Sequence, residues 1–342
     1  MTVKLRLVTI AERTTSDWYK IDHSTRGTTN ALGRSSCNVR HRRIIVAMEN
    51  LPTPFPLLDH PELLVPMYVH SKESLDYARN FPIQDGDVFS VTFPKSGTTW
   101  MQEILTLVTS NGDLSQVHTH PNWERVPWLE QNTAKGFLEN RAAPRLVSTH
   151  LPYEYAPAQL SKGRGKVIYT ARNPKDVTTS YYHFSKFAKF LQDPGDFDDF
   201  FNKMLHGTVY MCPWFKHIQG WLDHKDQLDM LYVTYEDMIM DLRGNVLRIA
   251  EFLGYDLNEG VLSTIVNHCT FSSMKDSKMV NYTLVPNKLM DHTTGKFMRK
   301  GKVGDWKNLF TVAQSEEFDR VYAEKMKGDD DVNFIWDINN ST

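Results

Sequence analysis

The chain has 342 residues, a formal net charge of −2 at pH 7, and 41% hydrophobic and 12% aromatic residues. This length and composition predict a sizeable core in one large α/β domain or two ordinary domains. The near-neutral charge argues against general binding to nucleic acid or to an anionic membrane, so we expect any anion site to be local. No apolar run reaches the roughly 18 residues that span a bilayer, and the first residues lack the hydrophobic region of a secretory leader.

The cysteine content points to a reducing compartment. The three cysteines, Cys37, Cys212 and Cys269, have no metal-ligand spacing and cannot form a disulfide framework. Disulfide-free chains of this kind are typical of the cytoplasm, where we expect this protein to lie.

The N-terminal 47 residues differ in composition from the rest of the chain, since they are rich in Lys, Arg, Ser and Thr. This bias fits an organelle transit peptide, a disordered extension or an upstream start in a gene model. We predict that residues 1–47 form a disordered extension, that residues 48–338 form the domain, and that residues 339–342 are a tail. Residues 52–66, rich in proline and leucine, predict an extended arm that lies on the domain.

The most informative stretch is a strand followed by a polar loop and a helix. Residues 88–91 form an apolar run that predicts a buried strand, and Met101, Ile104, Leu105 and Val108 are spaced as one apolar helix face. A loop between such elements directs backbone N–H groups and the positive end of the helix dipole at one point. The pattern therefore predicts an anion site, although a plain capped turn remains an alternative interpretation of the loop alone.

The residues of this loop suit an anion. Lys95 supplies a positive charge, Gly97 permits close approach of the backbone, and Ser96, Thr98 and Thr99 supply hydroxyl donors. The loop differs from the triphosphate-binding pattern GxxxxGK[ST], because its lysine precedes its only glycine.

Beyond the loop, the chain predicts a parallel sheet covered on both faces. Further strands are predicted over residues 145–148, 166–170 and 230–233, separated by stretches long enough for crossover connections. Residues 111–145 are expected to be irregular and to fold over something apolar. Helices are predicted over residues 176–190, 196–206, 213–223, 243–253 and 314–327.

Four reactive residue types follow the predicted strands. Lys95, His150, Arg172 and Tyr235 stand at or just beyond the strand ends. Ligands bind at the carboxyl edge of open α/β sheets, so the sequence places a site there. Each residue also has a plain structural interpretation. His150 reads as a buried structural histidine, Arg172 as a solvated arginine beside a capped helix, and Tyr235 as a simple strand end, while Lys95 lies in what could be a plain capped turn.

The loop string TFPKSGTTW, residues 92–100, resembles the 5′-phosphosulfate-binding loop of the cytosolic sulfotransferases. The strings RNPKDVTTSYYHF (172–184), CTFSSM (269–274) and FMRKGKVGDW (297–306) also resemble segments of that family. The resemblance implies an α/β fold with a single domain, a central parallel sheet flanked by helices and a likeness to P-loop NTPases. It also implies sulfuryl transfer, without a metal, from 3′-phosphoadenosine 5′-phosphosulfate (PAPS) to a hydroxyl of a small acceptor.

The resemblance assigns roles to particular residues. His150 would be the base that takes the acceptor proton, and Lys95 would stabilise charge on the departing oxygen. The residues implied to contact the acceptor are Phe93, Trp128, Ser148, His150 and Phe184. The residues implied to contact the cofactor are Lys95, Ser96, Gly97, Thr98, Thr99, Trp100, Arg172, Ser180, Tyr235, Cys269, Thr270, Phe271, Met274, Phe297, Met298, Arg299, Lys300 and Gly301.

Two departures from the family leave questions open. Cys269 stands where the family commonly has Thr or Ser, which puts a hydroxyl contact there in doubt. Ser148 stands where phenol-type members often carry lysine, as in hydroxysteroid-type members, whereas residues 181–184 look phenol-type. Phenols, steroid alcohols and amines therefore all remain candidate acceptors.

The C-terminal part also matches the family's dimerisation pattern KxxxTVxxxE at Lys307, Thr311, Val312 and Glu316. We therefore predict a homodimer, while Thr311 and Gln314 also read as a helix capping box. Two other classes of protein compete with the sulfotransferase interpretation. One is an ATP-dependent kinase, and the other is a protein that binds PAPS but has lost catalysis.

Overall fold

The structure is a computed structural model that describes residues 57–60, 63–66, 68–211, 213–329 and 332–338. The predictions for residues 1–47, for Cys212 and for the tail 339–342 lie outside the described residues.

The centre of the domain is a four-stranded parallel sheet. Its strands are β3 (Val88–Thr92), β4 (Leu146–Thr149), β5 (Lys166–Ala171) and β6 (Asp229–Thr234), in the order β4-β3-β5-β6. All four predicted strands are confirmed, with ends that differ by at most one residue. The chain leaves β3 for one neighbour and later returns to pair with its other edge, which makes the carboxyl end of β3 a topological switch point.

Neighbouring residues of the strands face opposite layers of the domain. Val88 belongs to one buried apolar cluster and Phe89 to the other, and Ile168 and Val167 divide in the same way. Because both faces are covered, the strands are continuously apolar rather than alternating. The predicted α/β architecture with helices on both sides of the sheet is confirmed.

The five helices predicted between residues 176 and 327 each match a helix of the structure within three residues at either end. α6, for instance, begins at Pro174 because the Asn173 side chain accepts hydrogen bonds from the backbone N–H groups of Lys175 and Asp176. The helices are α1 (Lys72–Arg79), α2 (Thr98–Thr109), α3 (Ser115–Thr119), α4 (Asn122–Arg125), α5 (Ala134–Leu138), α6 (Pro174–Phe187), α7 (Phe197–Leu205), α8 (Trp214–Leu222), α9 (Tyr235–Met240), α10 (Leu242–Leu253), α11 (Glu259–His268), α12 (Phe271–Asp276) and α13 (Val312–Lys325).

Two expectations need correction. Residues 111–145 are not wholly irregular, since they contain α3, α4 and α5; helices of four or five residues are too short to show an apolar period. The described part of the predicted arm is an antiparallel hairpin of β1 (Leu57–His60) and β2 (Leu63–Pro66), and Leu64 of β2 pairs with Met211. In the part of the chain that the structure describes, no helix is both long enough and apolar enough to cross a bilayer.

Candidate active site

A cavity of about 400 Å³ opens at the carboxyl edge of the sheet. Lys95, His150, Arg172 and Tyr235, which follow the four strands in turn, all line it. Their convergence, predicted from the strand ends, is therefore confirmed.

Most of the predicted site residues line the same cavity. For the acceptor these are Trp128, His150 and Phe184. For the cofactor they are Lys95, Gly97, Thr98, Thr99, Trp100, Arg172, Ser180, Tyr235, Cys269, Phe271, Met274, Phe297, Met298, Arg299, Lys300 and Gly301.

The loop after β3 requires a glycine at position 97. Gly97 has φ of 107° and is the N-cap of α2, and a Cβ there would lie 3.0 Å from Cδ2 of Tyr235. Among the described residues, no side chain caps this helix end, so its amide groups remain available to an anion. The Ser96 hydroxyl is buried and has no hydrogen-bond partner within the described structure. The loop thus presents donors that the protein itself leaves unused.

Lys95 has an unusual conformation and environment. Its φ of 71° is left-handed, which is uncommon for a residue with a side chain. Its Nζ lies 4.0 Å from the ring centroid of Phe184 and 4.1 Å from that of Phe297. Burial, together with the nearby charges of Arg172 and Arg299, lowers the pKa of Lys95 to about 7.

Arg172 is 7% exposed and is held by backbone oxygens. It donates from Nη1 to the carbonyl of Lys95 at 3.0 Å and from Nη2 to the carbonyl of Lys302 at 3.2 Å. Its guanidinium lies 4.1 Å from the ring centroid of Tyr235. Its Nε is buried without a partner in the described structure, so it retains a donor for an anionic ligand.

The segment from Arg299 to Trp306 folds back onto α6. Asp176 of α6 accepts hydrogen bonds from the backbone N–H groups of Gly304 at 2.8 Å and Trp306 at 2.9 Å. Asp305 forms ion pairs with Arg299 and Lys300. These contacts bring two cations that are far away in sequence into the cavity that Arg172 lines.

Gly301 lies close to an aromatic ring of the same cavity. Its φ is 62°, and a Cβ there would lie 2.3 Å from Cδ2 of Phe271. A side chain at this position would displace the ring, so the close approach of backbone and ring depends on glycine.

The His150 ring has a defined tautomer. Its Nδ1 lies 2.6 Å from the carbonyl oxygen of Thr92. Because a carbonyl oxygen only accepts, we assign the ring proton to Nδ1, which leaves the lone pair on Nε2. The ring lies against Trp128, with centroids 4.3 Å apart. Burial lowers the pKa of His150 to about 3, so the imidazole is neutral at physiological pH.

The backbone of His150 is held by two residues that the sequence analysis missed. Its N–H donates to Oε1 of Glu130 at 3.0 Å, and its carbonyl lies 3.2 Å from Nε2 of His217. Burial raises the pKa of Glu130 to about 7. Glu130 reaches this place because residues 127–129 pair with Ser148 of β4. Nothing in the local sequence signals this pairing.

The structure places four predicted residues outside the cavity lining. Ser148 is buried, and its hydroxyl accepts a hydrogen bond from Nε2 of Gln102 at 3.1 Å, so its predicted contact with the acceptor gains no support and stays a prediction. Phe93 packs edge-on against Tyr181 and His217 in the core instead. Thr270 caps α12, and Ser96 lies buried behind the loop surface.

Cys269 does line the cavity, but its polar contact is through the backbone. Its carbonyl accepts a hydrogen bond from Nε1 of Trp100 at 2.7 Å. Burial raises the pKa of the thiol well above its usual range. Because Trp100 bonds to the backbone carbonyl, this contact does not depend on the Thr or Ser hydroxyl that the family commonly has at this position.

Several lining residues were not predicted, because they are apolar or aromatic residues in stretches without a motif. They are Val69, Pro94, Gln131, Phe190, Tyr210, Met238, Ile239, Leu242, Tyr282, Met290 and Lys302. The exceptions are Gln131, which is polar, and Pro94 and Lys302, which lie within the loop string and the charged string of the sequence.

Comparison with known proteins agrees with this geometry. The family model described as the sulfotransferase domain matches residues 85–330. Sulfotransferase 2B1 of Mus musculus is 47% identical over 273 residues, which cover 80% of this chain and 80% of that protein. The amine sulfotransferase of Oryctolagus cuniculus is 45% identical over 269 residues, which cover 78% of this chain and 88% of that protein.

Solved structures show the same fold. Mouse sulfotransferase SULT7A1, complexed with PAP, superposes with a TM-score of 0.67 at 28% identity and covers 80% of this chain and 95% of its own. Retinol dehydratase superposes with a TM-score of 0.71 at 24% identity, covering 80% and 90% of the two chains. The predicted fold and the predicted sulfotransferase identity are confirmed: the chain belongs to the sulfotransferase family.

Proposed function

We propose that this protein transfers the sulfuryl group of PAPS to a hydroxyl group of a small, largely apolar acceptor. One observation carries the proposal: a single cavity is lined by two groups of residues suited to anions and by a neutral histidine. The first group is the loop of Lys95 and the N-terminus of α2; the second comprises Arg172, Arg299 and Lys300. A nucleotide with anionic groups at both ends, such as PAPS, would use both, whereas ATP carries phosphate at one end only.

The chain's own polar atoms fit such a nucleotide. Arg172 lines the cavity, and its Nε is buried without a protein partner among the described residues; the amide groups at the N-terminus of α2 have no side-chain cap. Unpaired buried donors are costly, and an anionic ligand would satisfy them. The mouse relative that was solved in complex with PAP, the product that remains after sulfuryl transfer, supports the same assignment.

The geometry supports the proposal that His150 is the general base. Its Nδ1–H is engaged by the Thr92 carbonyl, so Nε2 is free to accept the proton of the acceptor hydroxyl. PAPS supplies the sulfuryl group, whose bond to the bridging phosphate oxygen breaks as the bond to the acceptor oxygen forms.

Lys95 and the loop amides would stabilise the negative charge that develops on that bridging oxygen. The lysine must be protonated to do this. Within the described residues, no three His, Cys, Asp or Glu side chains are grouped as metal ligands, and the metal-free reaction stays a prediction.

Part of the cavity lining is apolar and aromatic, and we propose that the acceptor binds there. Trp128, Phe184, Phe190, Tyr210 and Met290 belong to this part. Such a lining favours a flat or extended apolar molecule whose reacting hydroxyl lies at His150. Relatives named for their acceptors include an amine sulfotransferase. Amines therefore belong in any test beside phenols and steroid alcohols.

The direct test is transfer of labelled sulfate from PAPS to a panel of phenols, steroid alcohols and amines by the full-length chain. We expect a sulfated product with at least one hydroxyl acceptor, and no phosphorylated product when ATP and magnesium replace PAPS. Tight PAP binding without transfer to any acceptor would instead favour a protein that binds the nucleotide but has lost catalysis. Absence of both PAP binding and transfer would contradict the proposal.

We also propose a homodimer through Lys307, Thr311, Val312 and Glu316. Val312 is a 75% exposed aliphatic residue at the first position of α13, beside the capping box of Thr311 and Gln314. Such an exposed aliphatic side chain is suited to a small interface. The capping box predicted from the sequence is present, and it is compatible with an interface at the same residues.

The dimer prediction is tested by Val312→Glu. A charge in the interface should convert the dimer to a monomer, measured by sedimentation equilibrium at several concentrations. Leu247→Glu is the matched control, because Leu247 is another exposed aliphatic residue, on α10, and is 41% exposed. A parent that sediments as a monomer at every concentration would rule the proposal out.

A cytoplasmic location follows from the resemblance to the cytosolic branch of the family and stays a prediction. Fractionation of cells that express the full chain, including residues 1–47, tests it. Recovery in an organelle fraction would favour the transit-peptide interpretation of that segment.

A further inference from the structure

The Lys95 ammonium lies in a corner made by two aromatic rings. Nζ is 4.0 Å from the ring centroid of Phe184 and 4.1 Å from that of Phe297. The two rings lie nearly at right angles, with an interplanar angle of 84° and centroids 5.9 Å apart. Each ring therefore turns a face, which carries partial negative charge, toward the same cation. We call this pair of rings the aromatic corner.

The backbone of Lys95 is also held in place. Its left-handed φ of 71° is a costly conformation for lysine, and its carbonyl accepts a hydrogen bond from Arg172 at 3.0 Å. Strained backbone of this kind clusters at functional sites, where the surrounding structure maintains it. The position of the ammonium is thus defined at both ends of the residue.

The other charges near Lys95 repel it. Arg172 and Arg299 both oppose its charged form, and Lys300 and Lys302 line the same cavity. The neighbouring His150 is neutral. Among the described residues, no carboxylate forms an ion pair with Lys95. The faces of the aromatic corner are therefore the attractive partners of this cation within the described structure.

The remaining titratable groups of the cavity do not offset this repulsion. The hydroxyls of Tyr210, Tyr235 and Tyr282 and the thiol of Cys269 all have raised pKa values because they are buried, so they stay neutral near pH 7. None of them supplies the negative charge that would hold a lysine in its charged form.

We propose that Phe184 and Phe297 are positioning residues that hold the charged Lys95 ammonium, before the nucleotide binds, at the place where the cofactor and acceptor parts of the cavity meet. The proposal rests on the proposed use of PAPS. It gives Phe184, otherwise predicted only to contact the acceptor, a second role in preparing the cofactor site. Neither ring reacts; both act through the lysine.

The test is the pH dependence of PAP binding, measured by calorimetry between pH 5.5 and 9 at constant ionic strength. PAP binding should weaken as the pH rises through the pKa of Lys95 in the free protein, about 7, because the anion favours the charged lysine. Phe184→Leu retains an apolar side chain but removes a ring face that stabilises the cation. We expect it to move the midpoint of this weakening down by about one pH unit.

Three further variants sharpen the test. Phe297→Leu should move the midpoint in the same direction, and Phe184→Tyr, which retains a ring face, should leave it near that of the parent. Phe190→Leu is the matched control: Phe190 lines the same cavity and packs against Phe184, with ring centroids 6.1 Å apart, but Lys95 does not lie over its ring. It should therefore leave the midpoint unchanged.

The outcomes distinguish a failure of the proposed function from a failure of the positioning role. A parent that binds no PAP at any pH contradicts the proposed function itself. If the parent binds PAP but its affinity does not weaken as the pH rises to 9, the positioning role is overturned. It is also overturned if Phe184→Leu and Phe297→Leu both keep the midpoint of the parent. Equal downward shifts in Phe190→Leu and Phe184→Leu also overturn it, because a general loosening of the cavity would then explain both.

Discussion

Replacement of His150 by alanine is expected to lower the rate of sulfate transfer by roughly 10²–10⁴-fold, the usual contribution of a general base. The structure supports this size of effect, because His150 lines the cavity as the neutral tautomer with Nε2 unprotonated. PAP affinity should stay within about twofold of the parent value, since the nucleotide contacts we propose lie on other residues. Steady-state kinetics with calorimetry of PAP binding measure both quantities.

His206→Ala is the control for this prediction, because His206 is exposed at the end of α7. Transfer by His150→Ala at more than about a tenth of the parent rate would contradict the assignment of the base. The pH profile offers an independent check. Since the pKa of His150 lies at about 3, protonation of this base should cause no loss of activity between pH 5 and 7.

Replacement of Lys95 by methionine is expected to lower kcat by roughly 10²–10³-fold, as for removal of one group that stabilises charge in a transition state. Methionine is a fitting substitute, because its thioether packs well against aromatic rings and can occupy the corner of Phe184 and Phe297. The fold should therefore persist, and a single-turnover measurement with saturating PAPS isolates the chemical step.

A matched variant distinguishes charge from packing. Lys95→Arg restores a cation in the corner and should recover part of the lost rate, although its planar group fits the site differently. If Lys95→Met raised KM for PAPS and left kcat unchanged, the lysine would serve binding alone, contrary to the proposed role.

The four strands of the central sheet, several of the longer helices and the loop at residues 92–100 were predictable, because their signals are local. A continuous apolar run such as 88–91 predicts a strand buried on both faces, and the structure confirms it. Since all four sheet strands run parallel, the residues that follow them had to meet at one edge. Lys95, His150, Arg172 and Tyr235 could therefore be placed together before any contact was known.

Two of the predicted acceptor contacts, Ser148 and Phe93, lie near the cavity in sequence but outside its lining in the structure. Ser148 stands two residues before His150, yet its side chain faces Gln102 of α2 inside the core, while the histidine ring lies in the cavity. Phe93, two residues before Lys95, likewise points into the core. His150 and Lys95 stand beyond the ends of β4 and β3, where the strand alternation no longer tells which way a side chain points.

By itself, the sequence determined the parallel sheet and the family, and it predicted the anion-binding loop and the base that we propose, because each depends on residues that are neighbours in the chain. Only the tertiary structure decided what surrounds those groups. Glu130 meets the His150 backbone, and Phe297 meets Lys95, through contacts between segments that are distant in sequence. Such contacts depend on how strands and loops pack against one another, which no local pattern of residues specifies.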